Sequence, residues 1–217
     1  MVQTIPATKT TLYDLEKQFH LTQDTTESFF EEWQREFPPL TQSEQQRLSR
    51  IQTAVDNLER RSLLENTVKL AVLAPLLDLS GLFFPPFYVS TEDTVSIEAT
   101  DDNLAIQGRI DILVMKEMLW LLVIESKRAE FSPKVGIPQA LAYMLAAPQP
   151  SAPVYGLVTN GTDFIFLKLA FGDSPSKRLR QRPTYARSKQ FVLGQDRDLE
   201  KVLQVLKHLA EVAKAVS

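Results

Sequence analysis

Among its 217 residues the chain has no cysteine and only two histidines, His20 and His208. The first absence excludes disulfides, thiolate metal sites and cysteine nucleophiles. The second leaves too little for a histidine-rich zinc site, because the two lie far apart in sequence. Long apolar runs are also missing. None approaches the roughly 18–20 residues that span a bilayer. The opening Met-Val-Gln-Thr-Ile-Pro has neither the basic nor the apolar block of a signal peptide. These absences lead us to expect a cytoplasmic protein with no membrane partner. An excess of positive charge is lacking too. The net charge of −3 does not advertise nucleic-acid binding, although an average conceals local patches.

What is present is a hydrophobic fraction of 44%, enough for a sizeable core. The length suits one domain, or one domain with a helical appendage. Residues 1–10 read as a loose tail and 11–36 as one or two short helices stopped by Phe37-Pro38-Pro39. Thr41-Gln-Ser-Glu44 is a capping-box pattern opening a polar helix to about residue 60. Ser62-Leu-Leu-Glu65 reads as a second cap, before a more apolar helix ending at Ser80-Gly81. Strands follow at 87–99, 104–115 and 119–126, then a helix at 134–147. A hairpin of 154–159 and 163–169 turns at Asn160-Gly161, a type I′ signal. A basic segment at 177–189, a short strand at 191–193 and an amphipathic helix from about 197 to 215 close the chain. There is no internal repeat. The order predicts an α/β fold: a mixed β-sheet flanked by helices, with residues 1–60 as an N-terminal helical extension and 61–217 as the main domain.

Two segments carry chemistry: Gly108-Arg109-Ile110-Asp111 and Ile124-Glu125-Ser126-Lys127. Both sit in β-branched, apolar sequence, and Lys116-Glu117-Met118 breaks it between them. That pattern reads as an antiparallel hairpin. With the turn centred on Met118, position 111 faces position 125. Alternation then puts Asp111, Glu125 and Lys127 on one face and points Ser126 the other way. Two carboxylates about 5 Å apart would repel by roughly 3 kcal/mol at an effective dielectric of about 20. Such a pair shares a proton or holds a cation, and oxygen-ligated Mg²⁺ suits two carboxylates. The competing reading is a charged strand end at a sheet edge.

Other candidates have two readings as well. Gln139 and Tyr143 are four apart and so share a helix face, which is either part of the site or simply polar. Lys177, Arg178, Arg180, Arg182, Arg187 and Lys189 form a run with no acid between them. It reads as a loop tracking nucleic-acid phosphates or as a solvated linker. Trp33 and the Phe-rich stretch 82–87 read as core rather than as a base-stacking platform.

Gly108-Arg-Ile-Asp111, Val123-Ile-Glu-Ser-Lys127, the Gln139-Ala-Leu-Ala-Tyr143 helix and Tyr155-Gly-Leu-Val-Thr-Asn-Gly161 together resemble the PD-(D/E)XK nuclease superfamily. The likeness is to its RecB-like branch and to the nuclease domain of type I restriction enzyme motor subunits. It covers about residues 62–170. The resemblance implies a restriction-endonuclease-like fold and Mg²⁺- or Mn²⁺-dependent hydrolysis of DNA phosphodiesters. Asp111 and Glu125, with the main-chain carbonyl of Ser126, would be metal ligands and Lys127 their charge partner. Gln139 and Tyr143 would face the scissile phosphate. A supporting acid on the preceding helix is also implied, for which Glu65 is the match; its other reading is a cap with Ser62. Ile110 stands where the family name has Pro. The 217 residues contain no helicase motor, so a whole motor subunit is not expected. A separate helicase or methyltransferase subunit, docking on residues 11–60, and a homodimer are the partners considered beside DNA. A catalytically inactive nuclease-fold module that binds nucleic acid or a partner protein is the alternative function.

Overall fold

The computed structural model describes residues 3–98, 104–148, 152–172 and 182–215. The strand-rich middle of the chain forms β3 (Phe87–Glu98), β4 (Leu104–Lys116), β5 (Leu119–Ser126), β6 (Val154–Thr159), β7 (Asp163–Phe171) and β8 (Pro183–Val192). Two short strands from the N-terminal region, β1 (Gln3–Pro6) and β2 (Thr22–Gln23), complete an eight-stranded sheet. Its order is β1-β4-β5-β6-β7-β8-β2, with β3 on the other edge of β4. The β1–β4, β5–β6 and β2–β8 pairs are parallel and the rest antiparallel.

Helices cover both faces, which is why β5 and β6 read as continuous apolar runs rather than as alternating ones. One face packs against α2 (Gln42–Leu58), α3 (Glu65–Val68), α4 (Ala74–Leu79) and α6 (Asp198–Ala215). The other packs against α1 (Leu12–Phe19) and α5 (Ile137–Leu145). The result is the expected α/β architecture, a mixed sheet flanked by helices. Among the described residues no helix is long and apolar enough to cross a membrane.

Several local expectations are corrected. Residues 3–6 are not a loose tail: they pair with β4 from Gln3↔Leu104 to Pro6↔Gln107. The second helix expected within 11–36 is a 3₁₀ segment, Glu27–Trp33, broken at Phe30 (φ −129°, ψ 64°). Tertiary contacts override helix propensity there: Phe30 is buried against Tyr155, and Glu32 accepts from the Tyr155 hydroxyl and the Lys168 ammonium. The N-terminal region is thus strand as well as helix. The Thr41 capping box forms as expected, but Ser62 does not cap the next helix; its amide instead closes the short 3₁₀ turn Glu59–Arg61. Its φ is 83°, its hydroxyl donates to Glu130 at 2.7 Å, and Leu64 is the N-cap of α3. Between α3 and α4 the helix widens into a π segment, Lys69–Leu73.

Both hairpin turns also differ from expectation. Lys116 pairs with Leu119, so Glu117-Met118 is the turn, with Glu117 at φ 54°. A bulge beyond Met115 leaves Leu121 unpaired and shifts the register, so that Ile112 meets Ile124. Asp111 therefore falls level with Glu125, as the spacing predicts, though by a different route. In the β6–β7 hairpin Gly161 (φ 95°) takes the first central position of the turn, not the second. Asn160 precedes the turn because its side-chain oxygen accepts from the amides of Thr162 and Asp163.

One irregularity sets up the site. Ile106 and Ile110 belong to the core beneath α5, whereas Ile112 and Val114 belong to the opposite core. In β3 the same change separates Val95 and Ile97 from Val89. The switch occurs at the rung of Glu92 and Asp111, between Thr91↔Ile112 and Asp93↔Ile110, where Glu92 adopts φ 62°. A left-handed residue inside a strand breaks the two-residue alternation. Along the other edge of β4, pairing with β1 ends at Gln107 and pairing with β5 begins at Ile112. Gly108 to Asp111 lie in the gap. A Cβ at Gly108 would sit 2.6 Å from the Tyr143 ring and hydroxyl and 2.8 Å from Ala7 Cβ. Gly108→Ala is therefore expected to lower stability by about 1–3 kcal/mol, as overpacking does. A urea titration with an unchanged midpoint would contradict this.

Candidate active site

β5 carries Glu125 and Ser126 to the end of the sheet, with Lys127 next. The Lys127 amide still bonds the Thr159 carbonyl at 2.8 Å, so the strand's direction persists through the lysine. Glu125 is 3% exposed. The Lys127 ammonium donates to Glu125 Oε1 at 2.7 Å and to Gln139 Oε1 at 2.8 Å. Gln139 passes the bonding on, donating to the Tyr143 hydroxyl at 2.8 Å. That hydroxyl also accepts from the Arg109 amide, one of the strand groups in the β4 gap. Glu125, Lys127, Gln139, Tyr143 and β4 are thus joined in one line. Gly136 permits it, since a Cβ there would lie 2.7 Å from Val158 Cγ1 and 3.1 Å from Lys127 Cε.

Asp111 stands apart from this line. Its Oδ2 accepts from the Ser126 amide at 2.8 Å and the Ser126 hydroxyl at 2.7 Å. Its Oδ1 pairs with the Lys69 ammonium at 2.6 Å. The expectation that Ser126 points away from Asp111 is therefore corrected: the face change at Asp111 brings the two side chains together. Lys69 also pairs with Glu92 Oε1 at 3.0 Å, and Arg109 reaches Glu92 Oε2 at 3.3 Å.

The electrostatics follow from burial. Desolvation pushes the Glu125 carboxyl up to about 8; the neighbouring charges of Asp111 and Glu65 add to this, and Lys127 opposes it. Burial, and then the Glu125 charge, push the Tyr143 hydroxyl up to about 12. Lys69 is partly desolvated, but its bonds to Asp111 and Glu92 prevail and raise its pKa. Glu125 Oε2 is buried and has no hydrogen-bond partner. Such an atom invites a cation or a proton. The oxygen donors of Asp111 and Glu125 match a hard divalent cation in kind. Among the described residues, however, no three His, Asp or Glu side chains cluster as a full ligand set. Glu65, exposed at the start of α3, reaches Glu125 through its charge.

The structure thus brings together Asp111, Glu125, Ser126, Lys127, Gln139 and Tyr143, with Glu65 nearby. The described part of the basic run, Arg182, Arg187 and Lys189, is not brought to them. Lys177, Arg178 and Arg180 lie outside the described residues. Arg182 is exposed just before β8, while Arg187 and Lys189 are on that strand rather than in a loop. β8 stands three strands from β5, about 14 Å at the usual strand spacing. Lys189 pairs with Asp198 at 2.9 Å.

Sequence reasoning missed Lys69, Glu92 and Asn160. Lys69 follows Glu65 by four residues, a helical-face spacing that could have signalled it. Nothing local signals Glu92. Asn160 donates to the carbonyls of Ala129 and Phe131 and so ties down the loop after Lys127.

No family model matches the chain, and no curated protein matches it. Among solved structures it is similar to a fragment described as an HsdR subunit of a type I restriction enzyme from Vibrio vulnificus YJ016. The identity is 19% and the TM-score 0.38, over 49% of this chain. The chain spans 21% of the length of that structure. A TM-score at that level carries no functional argument.

Gln139 is the joint of the line. Gln139→Leu leaves the Lys127 ammonium without its second acceptor and removes the Tyr143 hydroxyl's side-chain donor. Leaving buried polar groups unmatched costs about 1–3 kcal/mol. Denaturant melts of wild type and Gln139→Leu measure this, and equal midpoints would mean the line carries no stability.

Proposed function

We propose that the chain is a divalent-cation-dependent nuclease that hydrolyses DNA phosphodiester bonds. The observation supporting this most directly is the buried Glu125–Lys127–Gln139 line with an unpartnered carboxylate oxygen on Glu125, which lies level with Asp111. Asp111 and Glu125 would hold Mg²⁺ or Mn²⁺, with the Ser126 carbonyl completing the protein ligands and Glu65 supporting from α3. When bound, the cation polarises the phosphate and acidifies an attacking water. Lys127, held between Glu125 and Gln139, orients that water and offsets negative charge developing on the phosphate. Gln139 keeps the ammonium aimed, and Tyr143 fixes Gln139 from behind. No covalent nucleophile is required; attack would be in line and, if the chain follows the nucleases it resembles, would expel the 3′-oxygen and leave a 5′-phosphate. Arg182, Arg187 and the rest of the basic run would follow the DNA backbone away from the cut.

The test is plasmid nicking with Mg²⁺ or Mn²⁺. Wild type is expected to nick, while Asp111→Asn and Lys127→Met lose at least about a hundredfold in rate, the scale of removing a group acting on the transition state. Equal rates for all three would show a contaminant or a wrong site.

A second reading has its own support. Both Asp111 oxygens are engaged by protein groups, and no three-residue ligand cluster is present among the described residues. On that reading the domain binds nucleic acid or a helicase or methyltransferase subunit without cutting. Residues 11–60 would be part of the docking surface. They include β2 and α2, so point substitutions on exposed residues test this better than deletion.

A further inference from the structure

The two acids assigned to the cation differ in their state. Glu125 Oε2 has no partner, whereas Asp111 is saturated: Ser126 takes one oxygen and Lys69 the other. Lys69 is not held by Asp111 alone. Its ammonium already touches Glu92 Oε1 at 3.0 Å, and Glu92 lies level with Asp111 on the neighbouring strand. Glu92 is turned there by its left-handed backbone, and Arg109 steadies its other oxygen at 3.3 Å. Lys69 itself begins the π segment of the covering helix, where the ordinary hydrogen-bond ladder is interrupted. Its side chain is 17% exposed and that of Glu92 is 49% exposed.

We propose that Lys69 is a built-in counter-cation that competes with the divalent metal for Asp111, and that Glu92 is the partner that retains Lys69 when the metal takes its place. This rests on Asp111 being a metal ligand. An ammonium at 2.6 Å neutralises Asp111 while the site is without metal and prevents two close carboxylates from repelling each other. Entry of a dication beside Asp111 puts two positive charges against each other. Lys69 yields the aspartate without leaving its second carboxylate, so the exchange does not strand a half-buried ammonium. Lys69 and Glu92 are positioning residues: they set how readily the site loads, not how the phosphate is attacked.

Calorimetric titration of the full chain with Mn²⁺ tests this without any nuclease assay. Wild type binds, and Asp111→Asn abolishes binding; failure of either defeats the metal assignment itself, and this inference with it. If both hold, Lys69→Met binds Mn²⁺ more tightly by about tenfold, because the competing charge is gone. Glu92→Gln, at an exposed position that tolerates change, binds several-fold more weakly because Lys69 then has only Asp111. In the Lys69→Met background Glu92→Gln changes affinity less than about twofold, the coupling expected when one residue acts through the other. Unchanged or weaker binding by Lys69→Met overturns the proposal. So does an equal loss from Glu92→Gln in both backgrounds, which would mean that Glu92 acts only through its own charge. Should Lys69→Met fail to fold, an unchanged affinity for Glu92→Gln alone overturns it.

Discussion

The buried contact between Glu125 and Lys127 is the constraint around which the site is organised. A carboxylate removed from water costs several kcal/mol unless it is paired and hydrogen-bonded, and one ammonium rarely repays that in full. Here it does not, since burial still outweighs Lys127 and the Glu125 carboxyl stays well above its ordinary range. The lysine is shared with Gln139, one oxygen of Glu125 has no partner, and the charges of Asp111 and Glu65 press on the same acid. A fold optimised only for stability would replace this arrangement with apolar side chains. Such a local conflict is what a functional site looks like in an otherwise consistent structure.

The rest of the fold makes that conflict possible. β5 and β6 are parallel and joined through α5, so α5 lies directly over the end of β5 and Gln139 faces Lys127. Gly136 and Gly108 allow the close approach at both ends of α5. The break in pairing along β4 exposes an amide that Tyr143 satisfies, which locks α5 to the strand bearing Asp111. Asn160 closes the other side by holding the loop after Lys127. Each contact lies far from the others in sequence, so the site is a product of topology rather than of one loop.

That explains what was legible in the sequence. Strands β3 to β7 were readable because their β-branched runs are long and their breaks polar. Helix α2 was readable because Thr41 and Glu44 form a local cap. The level pairing of Asp111 with Glu125 and the shared face of Glu125 and Lys127 were also within reach, since they depend on short spacings, whereas Gln139 was singled out only by the resemblance. The edge strands were not. β1 and β2 have only four and two residues, and their partners lie about 100 and 160 positions away. Nor was the face of Asp111, because alternation assumes a regular strand and Glu92 breaks it from the neighbouring one. Ser62 looked like a cap by composition, but its hydroxyl is drawn to Glu130 across 68 positions.

The break at Glu92 has a consequence for how the two acids divide their work. Without it, Asp111 would face α5 beside Glu125, and two carboxylates would compete for Lys127. The turn instead sends Asp111 toward Ser126 and Lys69, so each acid acquires its own ammonium. Asp111 is thereby fixed by three contacts and keeps only a small exposed fraction, while Glu125 is buried and incompletely satisfied. One acid is preorganised and the other under strain. The left-handed residue that separates them lies on a third strand, and its own side chain joins the same network. Backbone strain of this kind persists only where the surrounding contacts over-determine it, and here the pairing with β4 on both sides, Thr91↔Ile112 and Asp93↔Ile110, holds it.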